Sequence, residues 1–101
     1  MPALEELRQR VAAGAAFLDA HDPQWRMRVT KKVKVASTHE CVLAQLYGRY
    51  RAGMEKYGLS EDDSLNYGFR VDSREVGYEH EASRQYYFQL NECWGAELKR
   101  R

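Results

Sequence analysis

Residues 37–58, STHECVLAQLYGRYRAGMEKYG, decide how the rest of the chain can pack. Ser37 is a good N-cap, and Glu40 three residues on can reach back to the cap's own N–H, which completes a capping box. Leu43, Tyr47, Tyr50, Met54 and Tyr57 then recur at steps of three and four, one apolar and aromatic stripe along a helix. Gly58 stands where a left-handed residue ends a helix, and Leu59 can fold back on the last turn as in a Schellman motif. The stretch therefore predicts one continuous central helix. It carries no catalytic fingerprint.

Working back from it, Leu4, Leu7, Val11, Ala15 and Leu18 form the stripe of a first helix, with Pro2 suited to its first position. Glu6 precedes Arg10 by four residues in the favourable order. The alanines and Gly14 make this helix thin, which suits close approach by another element. Asp22–Pro23 ends it, because the residue before proline avoids helical geometry. Trp25 follows, a large ring expected to anchor the connection to the core.

Residues 26–35, RMRVTKKVKV, change period. Met27, Val29, Val33 and Val35 alternate with Arg26, Arg28, Thr30, Lys32 and Lys34, the pattern of a strand with one basic face. A lone strand leaves its backbone groups unpaired, so a partner is required. Leu65, Tyr67, Phe69 and Val71 also alternate, and a short two-stranded ribbon of residues 27–35 and 65–71 follows from the pair. Gly68 weakens the second strand. Between the central helix and this segment, Ser60 with Asp63 can start a single helical turn.

Toward the end of the sequence, residues 79–99 predict a third long helix with Tyr87, Leu90, Trp94 and Leu98 on its stripe and Tyr86 and Cys93 beside it. Glu79 and Glu81 at its start and Lys99, Arg100 and Arg101 at its end suit the macrodipole. Gly95 inside it suggests close approach by a neighbour. The fold class expected is a mainly α, three-helix single domain over residues 1–101. Its core is expected to hold Leu7, Val11, Leu18, Trp25, Leu43, Leu46, Tyr50, Leu90 and Trp94.

With 101 residues, 44% of them hydrophobic and twelve aromatic, the chain can bury one core without metals or disulfides as staples. No apolar run approaches the length that crosses a bilayer. The opening MPALEELRQRV places two glutamates where a signal peptide requires basic residues, so a cytoplasmic location is expected, with Cys41 and Cys93 as reduced thiols. Net charge is +1, divided unevenly: residues 1–52 carry nine Lys/Arg against five Asp/Glu, and residues 53–101 carry seven against ten. Halves of opposite sign can pair with each other within the fold or across an interface.

The segments GAAFLDAHDPQW (Gly14 to Trp25) and CVLAQLYGRY (Cys41 to Tyr50), together with the late Trp94, resemble small uncharacterised proteins of actinobacteria and their phages. The resemblance covers about half the chain. It implies a one-domain, mainly helical cytosolic protein, a phage or actinobacterial accessory protein, and brings no activity, cofactor or site residue. Ala44, where glycine is expected, and the basic segment 26–35 depart from that pattern.

Three kinds of chemistry compete for the polar residues. His39, Cys41, His80 and Cys93 are metal-ligand types, but no C-x-x-C or H-x-x-x-H pair sets two of them on one turn. Cys41 near a helix start, with His39 nearby, has the makings of an activated thiol, while Val42 and Leu43 beside it point to burial. A thiol- or metal-dependent small enzyme is thus the second alternative reading, without cofactor or named catalytic residue. Arg26, Arg28, Lys32 and Lys34 on one strand face, near Trp25, can meet phosphates, which makes nucleic-acid binding through residues 26–34 the first alternative. The same lysines also serve to protect a sheet edge.

The tyrosines at 47, 50, 57, 67, 78, 86 and 87 exceed what a small core needs, and tyrosine is enriched at protein interfaces. The favoured reading is a non-enzymatic protein that binds another protein or a second copy of itself, with no membrane role. Arg26, Arg28, Lys32, Lys34, Tyr78 and Tyr86 are the partner-binding residues expected from the sequence.

Overall fold

The computed structural model describes residues 3–37, 39–70 and 80–100, with the side chains of the last stretch described from Arg84 onward. It is mainly helical. Among the described residues are six helices and no strand: α1 (Leu4–His21), α2 (Trp25–Arg28), α3 (Val42–Tyr47), α4 (Tyr50–Tyr57), α5 (Glu61–Asn66) and α6 (His80–Lys99). Pro2, Val71 and Tyr78 lie outside the described residues.

α1 forms as its stripe dictates. Leu7, Val11, Ala15 and Leu18 are buried while Leu4 stays exposed. Glu6 and Arg10 pair at 3.2 Å. The helix stops at Asp22, whose N–H donates to the Leu18 carbonyl at 2.7 Å. Gly14 is the thin point: a Cβ there would lie 2.0 Å from the Tyr67 carbonyl oxygen, at the end of α5.

The expected central helix is instead two helices. Gly48 adopts φ +94 and its N–H closes on the Ala44 carbonyl at 2.8 Å, which ends α3; Arg49 is extended and α4 starts afresh. The two arms fold back on each other, so close that a Cβ on Gly53 would stand 2.9 Å from Leu43 Cβ. The stripe survives the break because both arms turn it toward each other and the core. The start is also displaced. Ser37 Oγ accepts from the N–H groups of His39 and Glu40, but only a turn results, and Cys41 caps α3 by accepting the Ala44 N–H at 3.4 Å. The far end is as the sequence predicts: Gly58 is left-handed, and Leu59 N–H donates to the Met54 carbonyl at 2.9 Å in a Schellman pattern.

The two-stranded ribbon of residues 27–35 and 65–71 is not formed. Residues 25–28 are helical, and Leu65 and Asn66 belong to α5, which Ser60 and Asp63 start with a full capping box. Residues 29–35 do run with Val29, Val33 and Val35 buried and Thr30, Lys32 and Lys34 exposed. Part of their backbone is met by side chains, and Lys34 N–H by the Glu40 carbonyl at 3.1 Å, in place of a second strand. Gln45 accepts from Lys31 N–H at 3.0 Å and donates to Lys31 carbonyl at 3.1 Å, and Asn91 Oδ1 accepts from Val35 N–H at 2.7 Å. Two amides and one backbone carbonyl stand in for part of the partner that the segment requires.

α6 lies along α1. Its Glu97, with Arg100 just past its end, shares a hollow with Ala12, Ala16 and Asp19, whereas Phe88, earlier in α6, shares the neighbouring one with Leu4 and Arg8. The two helices therefore run in the same direction. Trp94 and Leu90 are fully buried beneath them. Trp94 stacks on Phe69 with centroids 5.6 Å apart, meets Trp25 edge to face at 5.8 Å, and donates its indole N–H to the Gly68 carbonyl at 2.8 Å. Gly95 faces open space, not the close neighbour expected of it. The expected core residues are all buried except Tyr50, which is half-buried.

Candidate interaction site

The short helix α2, WRMR, ties the two arginines of the basic segment into the fold. Trp25 is fully buried and donates its indole N–H to Asp19 Oδ1 at 2.8 Å. Arg26 lies over the Trp25 ring at 4.5 Å, pairs with Asp19, and donates its Nε–H to the Glu97 carbonyl at 3.3 Å. Arg28 pairs with Asp22 and donates to the Leu46 carbonyl at 2.6 Å. Each arginine thus closes the C-terminal end of another helix, α6 and α3 respectively, where free carbonyls and the dipole favour a cation. The Trp25 N–H bond, with Arg26 beside it, holds the Asp19 carboxyl below its ordinary pKa despite some desolvation.

Of the six residues expected to meet a partner, these two arginines are engaged within the fold. Tyr86 is in the core, 6% exposed. Lys32 and Lys34 are exposed, Lys34 within 3.7 Å of Glu40. Tyr78 is outside the described residues. The structure does not gather the five described ones into one surface.

Three of the tyrosines, Tyr47, Tyr50 and Tyr57, are bonded through their hydroxyls within the fold. Tyr47 donates to Asp22 Oδ2 at 3.0 Å and its hydroxyl meets that of Tyr57 at 2.5 Å; Tyr50 meets Ser64 Oγ at 2.6 Å. Phe17 stacks on Tyr67 at 4.8 Å and takes Tyr57 edge-on at 5.1 Å. Burial, reinforced by Tyr57 and Asp22, pushes the Tyr47 hydroxyl far above its ordinary pKa, and burial raises that of Tyr50. This belt joins α1, α3, α4 and the end of α5. It is packing with satisfied hydroxyls.

The cysteine chemistry runs against activation. Burial raises the pKa of both thiols, Cys41 in the α3 cap and Cys93 on α6, and holds them protonated. Both are free. Among the described residues no three His, Cys, Asp or Glu side chains are placed to hold a metal ion. No described helix is long and apolar enough to cross a membrane.

What the structure leaves open is a groove between α1 and α6, of about 570 Å³. Its apolar wall is Leu4, Val11, Ala12, Phe88, Cys93 and Ala96. Phe88 is 60% exposed and Leu4 39%, two of the three large apolar side chains that face solvent among the described residues. Arg8, Glu92 and Arg100 stand at its edges. The sequence stripe of α6 runs Tyr87, Leu90, Trp94 and Leu98, so Phe88 falls off it. That an aromatic sits on the polar side of an amphipathic helix was the signal available beforehand.

No family model matches this chain, and neither any curated protein nor any solved structure is significantly similar to it.

Proposed function

We propose that this chain is a non-enzymatic binding protein that docks another protein chain on the α1–α6 groove. The carrying observation is the exposed Phe88 at the lip of an apolar hollow, with Leu4 on the same face. An exposed aromatic next to a concave apolar surface, rimmed by charge, is the composition of an interface centre and its edge. Lys32 and Lys34, exposed on residues 29–35, supply long-range attraction more than contact energy. The resemblance to small actinobacterial and phage proteins fits an accessory role of this kind.

Comparison of two altered chains as bait in native cytosol tests the reading. Phe88→Glu is expected to lose the bound protein, and the double reversal Lys32→Glu with Lys34→Glu to keep it. Loss with the lysine reversals alone, with binding of a labelled oligonucleotide that falls steeply with salt, would overturn it in favour of nucleic-acid recognition. Chemistry on a thiol is the weaker reading, because burial keeps both sulfurs in the unreactive form.

A further inference from the structure

Along the outer side of α6, residues 84, 88 and 92 form one row at steps of four, and all three are exposed. The row reads cation, aromatic, anion: Arg84, Phe88, Glu92. Neither Arg84 nor Glu92 has an ion-pair partner among the described residues. Phe88 stands as a ridge with a hollow on each side. One is the α1–α6 groove; the other, about 450 Å³, is lined by Arg84, Gln85, Phe88 and Gln89.

We infer that the protein docked on this face is a second copy of the same chain, with the two α6 helices antiparallel about a twofold axis near Phe88. The inference rests on the docking reading above and names its occupant. A twofold axis demands a self-complementary surface. The row Arg84–Phe88–Glu92, turned end for end, reads Glu92–Phe88–Arg84. Each Arg84 then meets the other copy's Glu92, twice by symmetry, and each Phe88 enters the hollow beside the other. Rows at steps of four are the ridges by which helices interdigitate. An unrelated partner would need only an apolar patch; it would not need the charges to balance about the aromatic.

Two further features agree. α1 and α6 run in the same direction within one copy, so their dipoles add, and a twofold axis across them sets the second pair opposed. The face they present, some 20 residues of helix long and two helices wide, covers on the order of 600 Å² at ordinary helix dimensions, near the ~800 Å² per partner of a standard interface.

The test uses the full chain and its mass in solution, by light scattering over a concentration series. The unaltered protein is expected to be a dimer. Arg84→Glu and Glu92→Arg each place like charges in both symmetric contacts and are expected to raise the dimer dissociation constant roughly tenfold or more. Mixed one to one, these two variants should associate with each other, because every contact between them is again of opposite sign. The chain carrying both changes should dimerise alone. Both positions are solvent-exposed, and unchanged helical circular dichroism confirms that each variant folds. A monomer at every concentration overturns the second-copy inference, as does a dimer insensitive to the single reversals or not restored by mixing. Loss of a foreign protein by the Phe88→Glu bait, with the chain monomeric, would leave the docking reading standing and remove only this one.

Discussion

Trp25 and Trp94 meet edge to face 5.8 Å apart, and their indole N–H groups point to acceptors of different exposure. Trp94 donates to the Gly68 carbonyl inside the core, whereas Trp25 donates to Asp19, whose side chain is 49% exposed. Replacement by Phe removes the same volume at both sites but strands a buried carbonyl only at one. Trp94→Phe should therefore cost more than Trp25→Phe, by about 1–3 kcal/mol, the penalty of an unsatisfied buried group. Urea unfolding of the two variants gives the difference; equal losses would show that Gly68 finds water.

Gly14 and Gly95 both lie inside helices, and alanine should act on them with opposite sign. At Gly95 nothing stands within 4 Å of a new Cβ, so Gly95→Ala gains helix propensity and is expected to stabilise by up to about 1 kcal/mol. At Gly14 the Cβ meets the Tyr67 carbonyl and α1 must move off α5. Gly14→Ala is expected to destabilise by roughly 1–3 kcal/mol, the range for overpacked sites. Thermal melts read both.

Gly48→Ala tests the break in the central segment. There is open space around a Cβ at this position, so only the positive φ opposes it, at about 1–2 kcal/mol. A stabilised variant with increased helical ellipticity would mean that α3 and α4 prefer to join.

Stability should fall on the alkaline side. Burial raises the pKa of Cys41 above its ordinary 9.0 and that of Tyr47 and Tyr50 above 10.0. These groups hold their protons in the fold at pH values where the unfolded chain releases them. Their contribution is complete below pH 9 and is lost as pH rises beyond it. Chemical denaturation at pH 8 and at pH 10.5 should show the decrease, and Cys41→Ser should remove its first part; a midpoint that is flat across the interval would contradict the burial of all three.

The helices legible in the sequence were those whose signals are local. The Asp22–Pro23 stop, the Ser60–Asp63 capping box, the Gly58 end and the stripes of α1 and α6 all act within one or two turns, and each is in place. Gly48 was hidden inside a stripe that fits a continuous helix and a folded-back hairpin equally well. The alternation over residues 27–35 was real for Val29, Val33 and Val35, but the hydrogen bonds of Lys31 and Val35 go to Gln45 and Asn91, side chains elsewhere in the sequence. Nothing in the period of a segment says which distant amide will meet it. The same holds for Arg26 and Arg28, whose roles at the ends of α6 and α3 exist only after the helices have docked. Phe88 was visible as an aromatic off the stripe; the hollow beside it was not.

The parallel docking of α1 and α6 has a kinetic consequence. Two helices that run the same way cannot be joined by a tight turn, and here residues 22–79 intervene before the pair can close. Contacts so distant in sequence carry a loop-closure entropy that short-range contacts do not, so closure of this pair is expected late in folding. The local αα-hairpin of α3 and α4 is free to form first, on the microsecond scale of short-range events. Closure of α6 then brings Trp94 against Trp25, and these are the chain's two tryptophans. Intrinsic fluorescence in a stopped-flow experiment therefore reports the last long-range step, while far-ultraviolet ellipticity should gain part of its signal earlier.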